Sequence, residues 1–163
     1  KQQKVLVENL NFDLHVGETV AIVGESGSGK SISGLALLGL LPDELKVSGQ
    51  AVYDQHDLLA LNQNGILNIR GKKIAMIFQE PMTALNPLHK VERIVGETLI
   101  LEGMSKEKAR KRVYDLLCDV GMDDPEDKLQ RYPHELSGGQ RQRVLIASVL
   151  AQKPEIIIVS GYI

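Results

Sequence analysis

Apolar residues follow different periods along this chain, and the changes of period predict its elements. Residues 5–16 alternate loosely between apolar and polar positions up to Gly17-Glu18. This pattern predicts half-buried antiparallel strands followed by a turn. Residues 19–23 and 73–78 are short apolar runs and predict buried strands. Residues 156–159 are four consecutive β-branched residues, which predict a strand buried on both faces, and therefore a parallel sheet covered by helices.

A helical period dominates much of the rest. Residues 31–41 are apolar and long enough for a helix, and residues 91–102 predict another before Gly103. Ser105 is a good N-cap for a helix that Gly121 would end. A further helix is predicted from Gly139 or Gln140 to Ala151, with Val144, Leu145, Ala147, Ser148 and Ala151 facing inward. Residues 51–53 predict a short strand, whereas residues 54–71 are polar, Asn-rich and predicted to be weakly structured.

This order of elements predicts an α/β fold with a parallel-sheet core, an N-terminal antiparallel β part and an inserted helical subdomain. The predicted core is residues 1–79 with 153–163, and the predicted helical subdomain is residues 80–152. The last predicted strand is central to such a sheet, so we expect a core that is incomplete at the C-terminus, with an unpaired sheet edge.

Composition narrows the function. The chain has 163 residues, of which 43% are hydrophobic and 25% are charged, as expected for one domain with a core. A net charge of −2 gives no bulk electrostatic case for nucleic acid or for a membrane-surface patch. The basic cluster at residues 106–112 is predicted to be a solvated helix face. Cys118 stands alone at helical spacing and predicts a buried thiol, and the four histidines show no metal-ligand spacing.

A phosphate-binding motif stands between the first apolar run and the first helix. The pattern G-x-x-x-x-G-K-[ST] is matched by Gly24, Glu25, Ser26, Gly27, Ser28, Gly29, Lys30 and Ser31. The strand, glycine loop and helix provide the context that this motif needs. Glycines let backbone N–H groups point at phosphate oxygens, and the helix dipole adds positive charge. Lys30 is predicted to reach the β- and γ-phosphates, and the Ser31 hydroxyl to ligate Mg²⁺.

A second anion-binding turn is predicted more than one hundred residues later. It consists of Leu136, Ser137, Gly138, Gly139 and Gln140, just before the last predicted helix. Two such sites cannot easily hold one nucleotide within one chain. They are explained if two chains pair head-to-tail and each presents this turn to the γ-phosphate that the other holds.

With these motifs in order, the chain resembles the ATP-binding subunits of ABC transporters, which are P-loop NTPases with a RecA-like core. Residues 136–140 resemble the signature motif of that family, and Gln79 resembles its Q-loop glutamine. Residues 77–87 and 132–136 are most similar to the dipeptide, oligopeptide and nickel importer ATPases, and among these to the peptide and microcin-type importers.

The resemblance implies a function. ATP and Mg²⁺ would be the cofactors, and Lys30 and Gln79 would act in hydrolysis, with Ser31 and Gln79 near the metal. A second ATP-binding subunit would be one partner. Membrane-spanning permease subunits would be others, docked on residues 80–96, and the subunit would be cytoplasmic and peripheral on the inner face of the cell membrane. ATP hydrolysis in the complete subunit would drive the import of peptides or related solutes.

The chain departs from the family after the strand at 156–159. The family places there an aspartate that helps fix Mg²⁺ and then a glutamate that polarises the attacking water, whereas this chain has Ser160 and Gly161. The family's adenine-stacking aromatic would lie upstream of Lys1, and its switch histidine beyond Ile163. We therefore expect a piece of a longer subunit that does not hydrolyse ATP unaided.

Two other functions stay open at this point. A non-hydrolysing nucleotide-binding module is favoured by Ser160 and Gly161, and natural decay of the site would produce one. A soluble ABC-type ATPase that acts on nucleic acid or ribosomes would share residues 24–31 and 136–140. The mild acidity of the chain and the sequence of residues 79–87 argue against that second alternative.

Overall fold

The structure is a computed structural model that describes residues 5–78 and 84–161. Its α-helices are α1 (Lys30–Leu37), α2 (Gln63–Ile69), α3 (Val91–Leu101), α4 (Lys106–Asp119), α5 (Pro125–Leu129) and α6 (Gly138–Ala151). Its strands are β1 (Val52–Tyr53), β2 (His56–Asp57), β3 (Ile74–Ile77) and β4 (Ile156–Val159), and two 3-10 turns cover Leu58–Ala60 and Pro133–Glu135.

The chain forms two compact units, Lys1–Leu67 and Asn68–Ile163. The first unit contains α1, β1 and β2, and its buried apolar side chains include Leu38 and Leu58. Helix α1 ends in a double hydrogen bond, from Gly39 N to Ala36 O and from Leu40 N to Leu35 O. Gly39 has a φ of +60°, which a residue without Cβ adopts at no steric cost, and the pair of bonds is a Schellman motif.

The second unit is built around α3, α4 and α6, whose apolar faces form one buried cluster with β3. Helix α4 shows why: Ala109, Val113, Leu116 and Leu117 recur at three- and four-residue intervals and are all buried. The predicted ends of this helix are confirmed, since Ser105 Oγ accepts from Lys108 N and Gly121 N donates to Cys118 O. The helices predicted near residues 91–102 and 139–151 are also confirmed.

Strands β3 and β4 pair in parallel, with Ile74 opposite Ile156 and Ile77 opposite Val159. The parallel sheet is therefore confirmed in this unit. The prediction that 156–159 is buried on both faces is wrong, because burial alternates along β4 and the Ile157 and Val159 side chains are exposed. β-branching stiffens the backbone for a strand, but it does not supply the second layer that would cover the outer face.

Residues 5–23 differ from the strands that their pattern predicts. The described residues of this segment carry no strand, and Val20, Ile22 and Val23 are exposed. An apolar run becomes a strand only when a neighbour pairs with its backbone, and no described residue pairs with 19–23. The predicted turn at Gly17-Glu18 is confirmed by the bond from Glu18 N to His15 O. Antiparallel pairing in the described parts of the chain is instead between β1 and β2.

Two further predictions are corrected. Residues 54–71 are not weakly structured, because they contain β2, a 3-10 turn and α2. Cys118 is exposed rather than buried. It follows Leu117 by a rotation of about 100° around α4, which carries its side chain off the apolar stripe and onto the face that Tyr114 occupies one turn earlier.

In the described parts of the chain, no helix is long and apolar enough to span a bilayer.

Candidate functional site

The loop at residues 24–31 is a tight turn that runs directly into α1. Ser28 N donates to Glu25 O at 3.2 Å, and Gly27 has a φ of +81°. Gly29 is the N-cap of α1 with a φ of +93°, and no side chain caps this helix end. A helix start without a side-chain cap is the usual condition of an anion-binding helix N-terminus.

The Lys30 ammonium is folded back over this loop. Its Nζ donates to the carbonyl oxygens of Gly24 at 2.6 Å and Glu25 at 2.7 Å, and to Ser28 Oγ at 3.3 Å. These three bonds use the three donors of an ammonium group. The positive charge is thus held beside the exposed loop amides, where an incoming anion would meet both.

Two of the glycines are required by the space around them. A Cβ on Gly24 would lie 2.8 Å from Ser28 Oγ, and a Cβ on Gly29 would overlap a methyl group of Val7. Gly29 is also in the left-handed region, where a side chain is strained. Ser31 is exposed in the first turn of α1, as are Glu25 and Ser26 in the loop. The loop conformation therefore depends on residues that the motif names as glycine.

Gln79, the predicted metal- and water-contacting residue, lies outside the described residues. Strand β3 ends at Ile77, two residues before it. The predicted metal site is therefore represented by Ser31 alone. In the described ranges 5–78 and 84–161, no group of three or more His, Cys, Asp or Glu side chains could hold a metal ion.

The turn at 136–140 is built by reciprocal capping. Ser137 N donates to Gln140 Oε1 at 3.0 Å, and Gln140 N donates to Ser137 Oγ at 3.3 Å, which forms a capping box at the start of α6. Gly138 and Gly139 are exposed, and a Cβ on either would meet nothing within 4 Å. Leu136 is only 5% exposed and belongs to the apolar cluster, so it anchors the turn from behind.

The positions after β4 hold no acidic side chain. Ser160 N donates to Ile77 O at 2.9 Å, which continues the pairing of β4 with β3 by one residue. Gly161 follows with a φ of +113°, a conformation that residues with a side chain rarely adopt. The backbone at this point thus continues the sheet edge, but the carboxylates that the family places there are absent from this sequence.

The sequence analysis missed a cluster of charged residues that lies before the turn at 136–140. Arg131 donates to Asp127 through Nη2 at 2.8 Å and through Nε to both carboxylate oxygens, and to Glu135 through Nη1 at 3.3 Å. The spacing Asp127, Arg131, Glu135, four residues apart each time, was the available signal.

The charges in this cluster shift each other's ionisation. Hydrogen bonds from Arg131 and then Lys128 lower the pKa of Asp127 from its ordinary 3.8 to about 2. The backbone N–H of Tyr132, followed by Arg131, lowers the pKa of Glu135. The hydrogen bonds from the Arg131 guanidinium to Asp127 and then Glu135 raise the pKa of Arg131. All three groups are therefore ionised at neutral pH.

Residues 7–159 match the ABC transporter family. Because this match covers most of the chain, the chain belongs to the ABC transporter family. It is 50% identical to the peptidoglycan transport ATP-binding protein YejF of Agrobacterium fabrum over 157 residues, which are 94% of this chain and 29% of that protein. It is 46% identical to the oligopeptide transport ATP-binding protein OppD of Bacillus subtilis over 93% of this chain and 43% of that protein.

Solved structures agree with this membership. The chain matches a dimeric ATP-binding cassette in a post-hydrolysis state, bound to ADP and Pi, with a TM-score of 0.80 and 33% identity. That match covers 94% of this chain and 65% of the cassette. The P-loop NTPase fold that the sequence predicted is therefore confirmed. The chain spans less than half the length of the curated relatives described above.

Proposed function

We propose that this chain is the nucleotide-binding part of a longer ATP-binding subunit that powers the import of peptides or related solutes. One observation carries the proposal: a glycine loop that runs into a helix without a side-chain cap, with a lysine folded over it, in a chain 43–50% identical to peptide-type transport ATP-binding proteins. In this proposal, residues 1–79 with 153–163 are the core, and residues 80–152 are the helical subdomain.

ATP fits the loop chemically. The triphosphate is anionic, and the loop offers uncapped N–H groups and the Lys30 ammonium. When ATP is bound, its hydrolysis supplies the free energy for transport. Phosphate oxygens would replace the Gly24 and Glu25 carbonyl oxygens as acceptors from Lys30. The new bonds join two ionised groups, whereas the bonds that they replace join the ammonium to neutral carbonyl oxygens.

Mg²⁺ fits only in part. Ser31 and Gln79 would supply neutral oxygen ligands, as the family resemblance implies. Mg²⁺ is commonly held by one or two carboxylates together with substrate phosphates. Ser160 brings no charge to the position where the family has its aspartate. We therefore propose that the metal is retained mainly through the nucleotide phosphates.

The turn at 136–140 would complete the nucleotide site of a second ATP-binding subunit in a head-to-tail pair. Its support is the exposed Gly138 and Gly139 backbone at the start of a 14-residue helix. The related cassette was solved as a dimer. In this arrangement Ser137, Gly138 and Gly139 approach the γ-phosphate, while Leu136 and Gln140 hold the turn in place.

Permease subunits at the inner face of the cell membrane would dock on residues 80–96 and on the helical subdomain beside them. An open cavity of about 720 Å³ supports this part of the proposal. Its lining includes apolar, aromatic and charged side chains: Pro87, Leu88, Lys90, Asp127, Gln130, Arg131, Tyr132, His134 and Glu135. Tyr132 and His134 are stacked with their ring centroids 5.6 Å apart, and Leu88 is 81% exposed. Such a mixed surface is suited to a short amphipathic segment of a partner.

A second candidate is a nucleotide-binding module that does not hydrolyse ATP. The specific observation in its favour is Ser160 and Gly161 after β4, where neither residue has a carboxylate to act as general base on a water. Turnover of ATP by this chain with Mg²⁺ would remove this candidate. A soluble ATPase acting on nucleic acid or ribosomes stays less favoured, and co-purification with ribosomes instead of permease subunits would support it.

The test of the proposed function is nucleotide binding by the subunit that carries this sequence. Lys30→Ala should weaken ATP binding by roughly tenfold to a hundredfold, the value of one or two charge-assisted bonds. Lys46→Ala is the matched control, because Lys46 is an exposed lysine of the same unit outside the loop. Equal ATP affinity in the Lys30→Ala variant, measured by calorimetry on folded protein, would overturn the assignment.

A further inference from the structure

Glu135 is the last residue of a 3-10 turn and lies directly before the turn at 136–140. Its Oε2 accepts from the backbone N–H of Tyr132 at 2.7 Å, and its Oε1 accepts from Arg131 Nη1 at 3.3 Å. The first bond caps the 3-10 turn Pro133–Glu135. The next residue, Leu136, is buried in the apolar cluster, and Ser137 is the N-cap of α6. Glu135 therefore links the 3-10 turn at 133–135 to the turn at 136–140.

Arg131 is itself held from two sides. Its guanidinium is bound to Asp127 by three contacts of 2.8 to 3.2 Å. Its backbone oxygen accepts from Val91 N at 2.9 Å, at the start of α3. The chain from α5 to α6 is thus tied both to its own preceding turn and to the first residue of α3.

A Cβ on Gly138 or Gly139 would meet no atom from outside its own helix within 4 Å, so both glycines face open space in that direction. The described supports of this turn lie on its other side: Leu136, the Ser137–Gln140 capping box and the segment that ends at Glu135. The ion pairs of Arg131 are half exposed, and such pairs add little to global stability. Their main effect is instead to fix the positions of Arg131 and Glu135 relative to α5.

We propose that Glu135, together with Arg131, is a positioning residue that sets the direction of the Ser137, Gly138 and Gly139 N–H groups. This inference rests on the proposed function, in which that turn acts on the nucleotide of the partner subunit. Glu135 touches no nucleotide. It determines how well one subunit completes the hydrolysis site of the other. Its removal should therefore lower ATP turnover at the partner subunit's phosphate loop.

The expected effect is on turnover and not on the subunit's own nucleotide affinity. Glu135→Ala removes both acceptors, and a misplacement of about 1 Å can cost up to roughly a hundredfold in rate. We expect a loss of about threefold to thirtyfold in kcat in the assembled transporter, with ATP affinity of the isolated subunit unchanged. Glu135→Gln keeps an oxygen for the Tyr132 N–H and should recover most of the loss. Glu107→Ala, an exposed carboxylate on α4, is the control.

A pair with one defective phosphate loop separates this role from a general folding defect. When this subunit carries Lys30→Ala, turnover comes from the partner's loop, which faces this subunit's turn; adding Glu135→Ala should lower it further. When the partner's corresponding lysine is replaced instead, Ser160→Asp with Gly161→Glu is added to give this subunit's own loop the missing carboxylates. Turnover then comes from this subunit's own loop, and Glu135→Ala should have no effect.

Each outcome decides one question. Loss in both pairs, or in neither, would overturn the positioning role. If Lys30→Ala leaves nucleotide binding intact, the proposed function is wrong, whatever the Glu135 variants show. Thermal unfolding of each variant accompanies the kinetics, and if Glu135→Ala does not fold, the Arg131→Lys variant carries the same comparison. Full activity of a folded Arg131→Ala variant would also count against the proposal.

Discussion

Ser137 and Gln140 hydrogen-bond to each other's backbone at the start of α6, with Ser137 N to Gln140 Oε1 at 3.0 Å and Gln140 N to Ser137 Oγ at 3.3 Å. The Ser137 hydroxyl therefore acts as an acceptor within the chain, and its own hydrogen is left for an external acceptor. One side chain can thus serve helix stability and anion binding together.

Substitutions of Ser137 should separate these two roles. Ser137→Ala loses the cap and should cost about 0.5–2 kcal/mol of stability. Ser137→Asp keeps a good N-cap and should leave stability near that of the parent, yet its negative charge would oppose an approaching phosphate. We expect Ser137→Asp to abolish nucleotide-driven pairing of subunits, as followed by size-exclusion chromatography with ATP, while its denaturation midpoint is retained. Undiminished pairing of Ser137→Asp would remove the anion role from this turn.

Gly29 should be intolerant of alanine for two separable reasons. The left-handed conformation costs about 1–2 kcal/mol for any side chain, and the overlap with Val7 adds about 1–3 kcal/mol. Gly27→Ala is the matched control, since Gly27 is also left-handed but has open space around it. Denaturant unfolding should show a larger cost for Gly29→Ala than for Gly27→Ala. The added substitution Val7→Ala should recover part of the difference, and no recovery would mean that Val7 is not the obstacle.

Asp127 should make the free energy of unfolding depend on pH. Its pKa is lowered to about 2 in the folded chain, so its contribution is fully present above its unfolded pKa near 4. That contribution is lost as the pH falls from about 4 through about 2. Asp127→Asn should therefore be less stable than the parent at pH 7, with the difference vanishing by about pH 2. Urea unfolding at several pH values checks this, and a difference that is constant with pH would exclude the carboxylate's charge as its source.

Carboxylates introduced after β4 should raise ATP turnover. A positioned general base contributes roughly 10²–10⁴-fold in rate, and the double change Ser160→Asp with Gly161→Glu supplies both missing groups. The gain will be reduced by strain, since Gly161 has a φ of +113°. Phosphate release is the measurement, and Ser160→Asn with Gly161→Gln is the uncharged control. Equal rates for the two pairs would show that charge at these positions is not what limits turnover.

Local signals predicted much of the helical unit correctly. Ser105 and Gly121 end α4 as expected because caps act through bonds to residues three or four positions away. The roles of residues 24–31, Gln79 and 136–140 stay predictions drawn from motif and resemblance. Prediction was wrong for Cys118 because one helical step moves a side chain from the buried stripe to solvent.

The sequence by itself determined the family and the ends of α4, and it predicted the phosphate loop, because those depend on short motifs and neighbouring residues. Tertiary structure decided which apolar runs became strands. Residues 73–78 and 156–159 contain two strands that pair in parallel, whereas 19–23 has no described partner. It also decided that Asp127, Arg131 and Glu135 form one connected group of ionised side chains before the turn at 136–140. Strand pairing depends on distances between residues that are remote in the chain, and no local pattern contains those distances. The spacing of the three charged residues was a local signal, but α5 ends at Leu129, so only the fold set the orientation of the Arg131 and Glu135 side chains.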